Sequence, residues 1–160
     1  KVKEASGIQP AIEKAFREGK EVIIERFVEG TEVTCGCYKV AGKEVVFPLT
    51  EVVTENEFFD FDAKYNGQVS EITPARLSEE LTRKIQRETS RIYDILGAKG
   101  LIRVDYIIPR DGEPVLLEIN TTPGMTATSF IPQQVRAAGL DIREVMTDII
   151  ENELNKETTK

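Results

Sequence analysis

The sequence predicts an α+β fold, a mainly antiparallel sheet covered by helices. Three observations predict it. Strand-like runs follow one another with only short turns between them over residues 21–53, and short turns join antiparallel rather than parallel neighbours. One strongly amphipathic helix with a clear start and stop spans 78–97, long enough to cover a sheet face. An Asp-Gly pair at 111–112, flanked by apolar runs, marks a hairpin.

The elements follow in order. Residues 8–18 read as a helix, with Pro10 in its first turn and Gly19 ending it. "EVIIERFV" (21–28) is strand-like, and Glu29-Gly30 turns the chain. "TEVTCGCYKV" (31–40) alternates as a strand, "AGK" turns, and "EVVFPLTEVV" (44–53) is the next strand. Together these runs suggest an antiparallel meander. Residues 54–70 mix aromatics, acids and Gly without a period, the mark of a long and often functional loop. Ser78 suits an N-cap, and Glu79 and Glu80 stand where the helix dipole favours acids. Leu81, Ile85, Ile92 and Leu96 keep helical spacing, and Gly97 ends the helix. Strand 101–108, a turn "RDGE", strand 115–119 and two helices near 131–138 and 141–155 complete the chain.

Composition narrows the function. The chain has 160 residues, 40% hydrophobic and 31% charged, with a net charge of −7, which describes an ordinary globular protein. Its Lys and Arg are scattered, so nucleic acid is not an expected partner. No apolar run approaches the roughly 20 residues of a membrane helix, no signal peptide is apparent, and a cytoplasmic location is expected. The first residue is not Met, so a fragment is expected. No histidine occurs, which removes His-based triads and most zinc hydrolase chemistry. Cys35 and Cys37 are two apart on a strand, so they share a face and are expected to be buried, reduced thiols. Asn120-Thr-Thr matches a glycosylation sequon, discounted without a secretory signal.

The stretch "LIRVDYIIPRDGEPVLLEIN" carries the chemistry. With Asp111-Gly112 as a two-residue loop, Arg110 pairs with Glu113 and Pro109 faces Pro114. Further down the ladder Asp105 lies opposite Glu118, and Arg103 opposite Asn120. Parity makes Asp105–Glu118 a non-hydrogen-bonded pair, with Cα atoms about 4.5 Å apart. Arg103, Asp105, Glu118 and Asn120 then share one face, and Ile102, Val104, Tyr106 and Ile108 form the core face. Carboxylates opposed this closely repel. Either they reach solvent, or one is protonated, or a cation sits between them. Oxygen ligands at this spacing suit Mg²⁺, which takes one or two carboxylates plus substrate phosphates. Asn120 adds a neutral oxygen, and Arg103 would face an anion.

The ordered segments "EVIIERFVEGTEVT", "FFDFDAKY", "GLIRVDYI" and "LLEINTTPGMTATS" resemble the ATP-grasp superfamily, and within it the D-alanine–D-alanine ligases, over nearly the whole chain. The resemblance implies an ATP-grasp C-terminal domain and an ATP-dependent carboxylate–amine ligase that joins two D-alanines through an acyl phosphate, for peptidoglycan precursors. It implies ATP as co-substrate and two Mg²⁺ ions, or Mn²⁺ in their place, on Asp105, Glu118 and Asn120. Glu25 and the backbone of Arg26, Phe27 and Val28 match the hinge that receives adenine. Glu32 matches the acid on the ribose hydroxyls, and Phe58 falls among the nucleotide-binding positions. Arg103 matches the arginine that stabilises the tetrahedral intermediate, Gly124 an oxyanion-region backbone donor, and Ser129 the serine on the carboxylate of the second D-alanine. Lys64 and Tyr65 match the loop that closes over the reacting phosphate. Tyr65 also fits dipeptide-forming enzymes rather than D-lactate-using resistance variants.

Members of that family are about twice as long. They carry an N-terminal domain for the first D-alanine and a Gly/Ser-rich loop over the phosphates, and "KVKEASGIQPAIEKA" resembles the segment just after that loop. The resemblance therefore implies a tail of the central domain in 1–30, a C-terminal catalytic domain in 31–155 and a polar tail in 156–160. It also implies a homodimer for the full-length protein and no ligase activity for this chain alone. Another ATP-grasp carboxylate–amine ligase would share Asp105, Glu118 and Asn120, although "DAKY" and "NTTPGMTATS" argue against it. A nucleotide-binding module without catalysis is the other alternative.

Overall fold

The computed structural model describes residues 1–54, 69–110 and 112–158. Helix α1 (Ile8–Ala15) follows a 3₁₀ turn at Ala5–Gly7. Strands β1 (Thr31–Val40), β2 (Lys43–Val46), β3 (Thr50–Thr54) and β4 (Val69–Ile72) come next. Helix α2 (Glu79–Ile95), strands β5 (Ile102–Ile108) and β6 (Val115–Asn120), and helices α3 (Phe130–Ala137) and α4 (Ile142–Thr158) complete the order. Among the described residues six strands make one antiparallel sheet in the order β4-β3-β1-β5-β6, with β2 also paired to β1. The α+β architecture expected from the sequence is the one observed.

β1 is the spine of this sheet. Val33, Cys35 and Cys37 point to one face, where they pack with Val104, Ile102 and Tyr106 beneath Ile85 and Tyr93 of α2. Ser78 caps α2 as expected, its hydroxyl accepting from the Leu81 N–H. Tyr106 meets Thr89 across this interface through their hydroxyls, 2.9 Å apart. The opposite face is covered by α3 and α4, through Ile131, Val135 and Val145 against Tyr38 and Phe47. Helices therefore sandwich the β1–β2 end of the sheet. Half-exposed Leu116 and Leu117 mark the less covered β6 edge.

Several expectations need correction. Residues 21–28 form no strand, and Ile23 and Ile24 are 83% and 70% exposed. Among the described residues no strand pairs with them, and an unpaired extended run has no ladder to join. The helix expected over 8–18 ends at Ala15, where i→i+3 bonds from Arg17 and Glu18 tighten the last turn. The single strand expected over 44–53 is two. Pro48 has no N–H for a ladder, so the chain leaves β1 after Val46 and rejoins it further along at Thr50. β4, paired to β3, was not expected. The 54–70 loop lies almost wholly outside the described residues.

Register near the β5–β6 turn also differs. Tyr106 pairs with Leu116 and Ile107 with Val115, one residue off the expected pairing, so Pro109 does not face Pro114. The turn closes earlier, with the Gly112 N–H donating to the Pro109 carbonyl at 2.9 Å. Asp111 lies outside the described residues. A register shift between Asp105 and Tyr106 leaves Leu117 as the extra residue and brings Asp105 opposite Glu118 and Arg103 opposite Asn120. The site pairing therefore agrees with expectation, although a bulge rather than an unbroken ladder produces it.

Candidate functional site

Four side chains meet on the face of β5 and β6 opposite α2. Arg103 Nε donates to Asp105 Oδ1 at 2.9 Å, and an Arg103 Nη donates to Oδ2 at 2.8 Å. Asn120 Nδ2 donates to Asp105 Oδ2 at 3.1 Å and to Glu118 Oε1 at 3.0 Å. Arg103 also lies 3.7 Å from Glu118 Oε1. The two carboxylates are thus held together in the way their opposition demands: a guanidinium sits with the buried one, and the other reaches solvent. The Asp105 side chain is 8% exposed and that of Glu118 58%.

The donor set fits a hard cation. Two carboxylates and an amide are oxygen ligands, and Mg²⁺ characteristically takes that few from protein because phosphates and water complete its shell. Among the described residues no group of three or more His, Cys, Asp or Glu forms a richer cage. Ligation by Asn120 requires its amide to turn, so that Oδ1 replaces Nδ2 toward the carboxylates.

Helix α3 contributes the next layer. The Arg103 guanidinium lies over the Phe130 ring, 5.1 Å from its centroid, a cation–π contact. Sequence reasoning missed Phe130, whose only signal was its place beside Ser129. Ser129 holds the N-cap position of α3, but its hydroxyl makes no capping bond. It lies 2.7 Å from Thr126 Oγ1 and accepts from the Thr126 N–H at 3.1 Å. Gly124 closes against it, since a Cβ there would come within 2.9 Å of Ser129 Oγ. Gly124 and Ser129 are therefore brought together.

Beside this cluster, Glu25, Arg26, Phe27 and Val28 line a cavity of about 720 Å³. Its other walls are α1 and the β5–β6 edge at Ile107, Leu116 and Leu117. Leu117 directly precedes Glu118, so the cavity and the carboxylates share a border. Glu32 is the cross-strand partner of Ile107 and stands at the same border. The aliphatic wall was also missed, because a bulge at Leu117 cannot be read from residue alternation. Phe58, Lys64 and Tyr65 lie outside the described residues.

The profile of the family described as D-ala D-ala ligase C-terminus matches residues 1–151. The chain belongs to that family. It is 85% identical over its whole length to a D-alanine–D-alanine ligase of Parabacteroides distasonis, of which it covers 48%. It is 74% identical over 152 residues to the D-alanine–D-alanine ligase of Bacteroides fragilis, covering 95% of this chain and 47% of that protein. The chain thus spans about half the length of these curated relatives. Among solved structures, the D-alanine–D-alanine ligase of Bacillus anthracis complexed with ATP superposes with a TM-score of 0.80 at 31% identity, covering 99% of this chain and 51% of that one. The VanG D-Ala:D-Ser ligase of Enterococcus faecalis gives 0.79 at 33% identity, over 92% and 43%. The ATP-grasp ligase fold expected from the motifs is thereby established for this family member. Among the described residues no helix is long and apolar enough to cross a membrane.

Proposed function

We propose that this chain is the C-terminal catalytic part of a cytoplasmic, homodimeric D-alanine–D-alanine ligase. Residues 1–30 are the tail of its central domain, 31–155 its C-terminal domain and 156–160 a polar tail. The observation that carries the reading is the convergence of Arg103, Asp105, Glu118 and Asn120 on one sheet face, bordering the cavity lined by Glu25 to Val28.

In this reading the γ-phosphoryl group of ATP passes to the carboxylate of one D-alanine, giving an acyl phosphate and ADP. The amine of a second D-alanine attacks the acyl carbon. The tetrahedral adduct collapses as the C–O bond to phosphate breaks, and the amine gives up its surplus proton. Asp105, Glu118 and Asn120 would hold two Mg²⁺ ions, which neutralise phosphate charge during transfer. Arg103 faces the negative charge of the adduct, in a pocket where such donors count most. The Gly124 N–H adds a donor there. The Ser129 hydroxyl leaves Thr126 to bind the carboxylate of the second D-alanine. Glu25, the backbone of Arg26 to Val28, Glu32 and Phe58 receive the nucleotide, and Lys64 and Tyr65 close over the phosphate. D-alanine is the second substrate because Tyr65 has the dipeptide-forming pattern and the relatives of high identity are named for D-alanine.

The test uses a full-length protein carrying this chain. Glu118→Gln should lower phosphate release with Mg-ATP and D-alanine by at least about tenfold, because it removes a charged ligand, while the thermal midpoint is kept. Near-parent turnover would remove the assigned role. The 160-residue chain alone should release no phosphate in the same assay, because orientation supplies a large share of such barrier lowering.

A further inference from the structure

The sheet holds one hydroxyl that its own contacts do not explain. Thr34 is 1% exposed, and its Oγ1 is the one buried side-chain polar atom without a hydrogen-bond partner among the described residues. A buried hydroxyl left unpaired is unfavourable, and Val has the same shape without that penalty. Thr34 is also the cross-strand partner of Asp105 in β5 and of Thr50 in β3. Opposed side chains on antiparallel strands share a face, with Cβ atoms about 4.5–5.5 Å apart.

On the β3 side the Thr50 hydroxyl already has two partners. Thr50 Oγ1 lies 2.6 Å from Thr73 Oγ1 and accepts from Gln134 Nε2 at 3.2 Å. The Thr34 backbone carbonyl accepts from the same Gln134 nitrogen at 3.0 Å. On the β5 side the residue opposite Thr34 is Asp105, whose carboxylate shares its face. That carboxylate is at present held by Arg103 and Asn120.

We propose that Thr34 is a positioning residue whose hydroxyl donates to Asp105 when Asp105 carries a divalent cation. The inference rests on the ligase reading of this site. A dication on Asp105 repels the guanidinium from the same lone pairs, and Asn120 turns its oxygen toward the ion. Both present donors then leave the carboxylate. Ligating carboxylates are held in orientation by hydrogen bonds from outside the ion's own shell. Thr34, rotating about one bond, supplies that donor from the buried side.

The experiment titrates Mn²⁺ into a full-length protein carrying this chain, with saturating AMP-PNP, and reads free Mn²⁺ by electron paramagnetic resonance. Thr34→Val should weaken Mn²⁺ binding about tenfold, within the range found for such outer partners. Thr34→Ser, which keeps the hydroxyl, should stay within about twofold. The thermal midpoint of Thr34→Val without ion should equal or exceed that of the parent, a result that a merely structural threonine does not give. Parent-like affinity in Thr34→Val, an equal loss in Thr34→Ser, or a lowered ion-free midpoint in Thr34→Val each overturns the proposal. Asp105→Asn separates this inference from the reading beneath it. Weakened binding in Asp105→Asn with parent-like Thr34→Val removes only Thr34. Unchanged binding in Asp105→Asn removes the ion site as well.

Discussion

Gly36 lies opposite Arg103 on the neighbouring strand, and its missing side chain lets α3 reach the sheet. A Cβ at Gly36 would stand 2.8 Å from both Gln134 Oε1 and Phe47 Cδ2, and closer still to Ile131. Gln134 uses that space to accept from the Gly36 N–H at 2.9 Å and to donate to the Thr34 carbonyl at 3.0 Å. It thereby bonds β1 in the gap between its pairings with β2 and β3. The helix that carries Phe130 is fixed to the strand beside Arg103 by this contact. Gly36→Ala should cost about 1–3 kcal/mol by overpacking. For a chain of this size that lowers the thermal midpoint by several degrees, and an unchanged melt would show that α3 shifts freely.

Removing the Gln134 side chain attacks the same joint from the other side. Gln134→Ala takes a buried partner from the Gly36 N–H, the Thr34 carbonyl and the Thr50 hydroxyl. A buried polar group left unpaired costs about 1–3 kcal/mol, so Gln134→Ala should match or exceed Gly36→Ala in a chemical denaturation curve. The double variant should lose less than the sum of the two, because both act on one contact.

Phe130 is expected to act through Arg103. Its ring backs a guanidinium only 15% exposed, and contacts of this kind are worth about 0.5–2 kcal/mol. Phe130→Ala in the full-length protein should lower turnover roughly two- to thirtyfold, with less effect on the KM for ATP. Phe130→Tyr keeps the ring and should restore most of the rate. Equal losses in both variants would mean that the ring only packs.

The carboxylate pair was legible because two local rules point the same way. Alternation fixed which residues share a face, and the hairpin fixed which strands adjoin. The rest of the hairpin was less legible. The turn closes at Gly112 and a bulge absorbs Leu117, and neither leaves a trace in apolar alternation. Residues 21–28 misled for a different reason: β-branched and aromatic residues describe a surface that wants a partner, not a strand that has one. Thr34, Gln134 and Phe130 were invisible because their roles come from contacts between β1, β5 and α3, and no spacing within one element reports them.

The paired thiols give a chemical check on the core. Burial pushes both Cys35 and Cys37 up to about 12, and both side chains lie beneath α2. Thiolate is the reactive form, so at pH 8 neither should react with a thiol reagent such as DTNB while the protein is folded. Both should react promptly in denaturant. Fast reaction in the native state would place α2 off the sheet.

Acid sensitivity should be traceable to Glu51. Its side chain is 10% exposed and pairs with Arg76, whose Nε and an Nη donate to its two oxygens at 2.9 and 2.7 Å. The Arg76 backbone N–H donates to it as well, at 3.2 Å. These bonds favour the ionised form, and they hold the Glu51 carboxyl below the usual glutamate range against the opposing effect of its burial. A carboxyl whose folded pKa is depressed contributes stability that is present above its unfolded value, about 4.3. That contribution is lost as pH falls through the folded value. Denaturation midpoints measured from pH 6 down to pH 3 should therefore fall less steeply in Glu51→Gln than in the parent. At pH 7 the variant should be the less stable of the two, since Arg76 loses its charged partner. The pair ties the chain entering α2 to β3, so the loss at neutral pH should also appear as faster amide exchange around Ala75 and Leu77. Parallel pH profiles in the two proteins would show that the ion pair contributes nothing to folding.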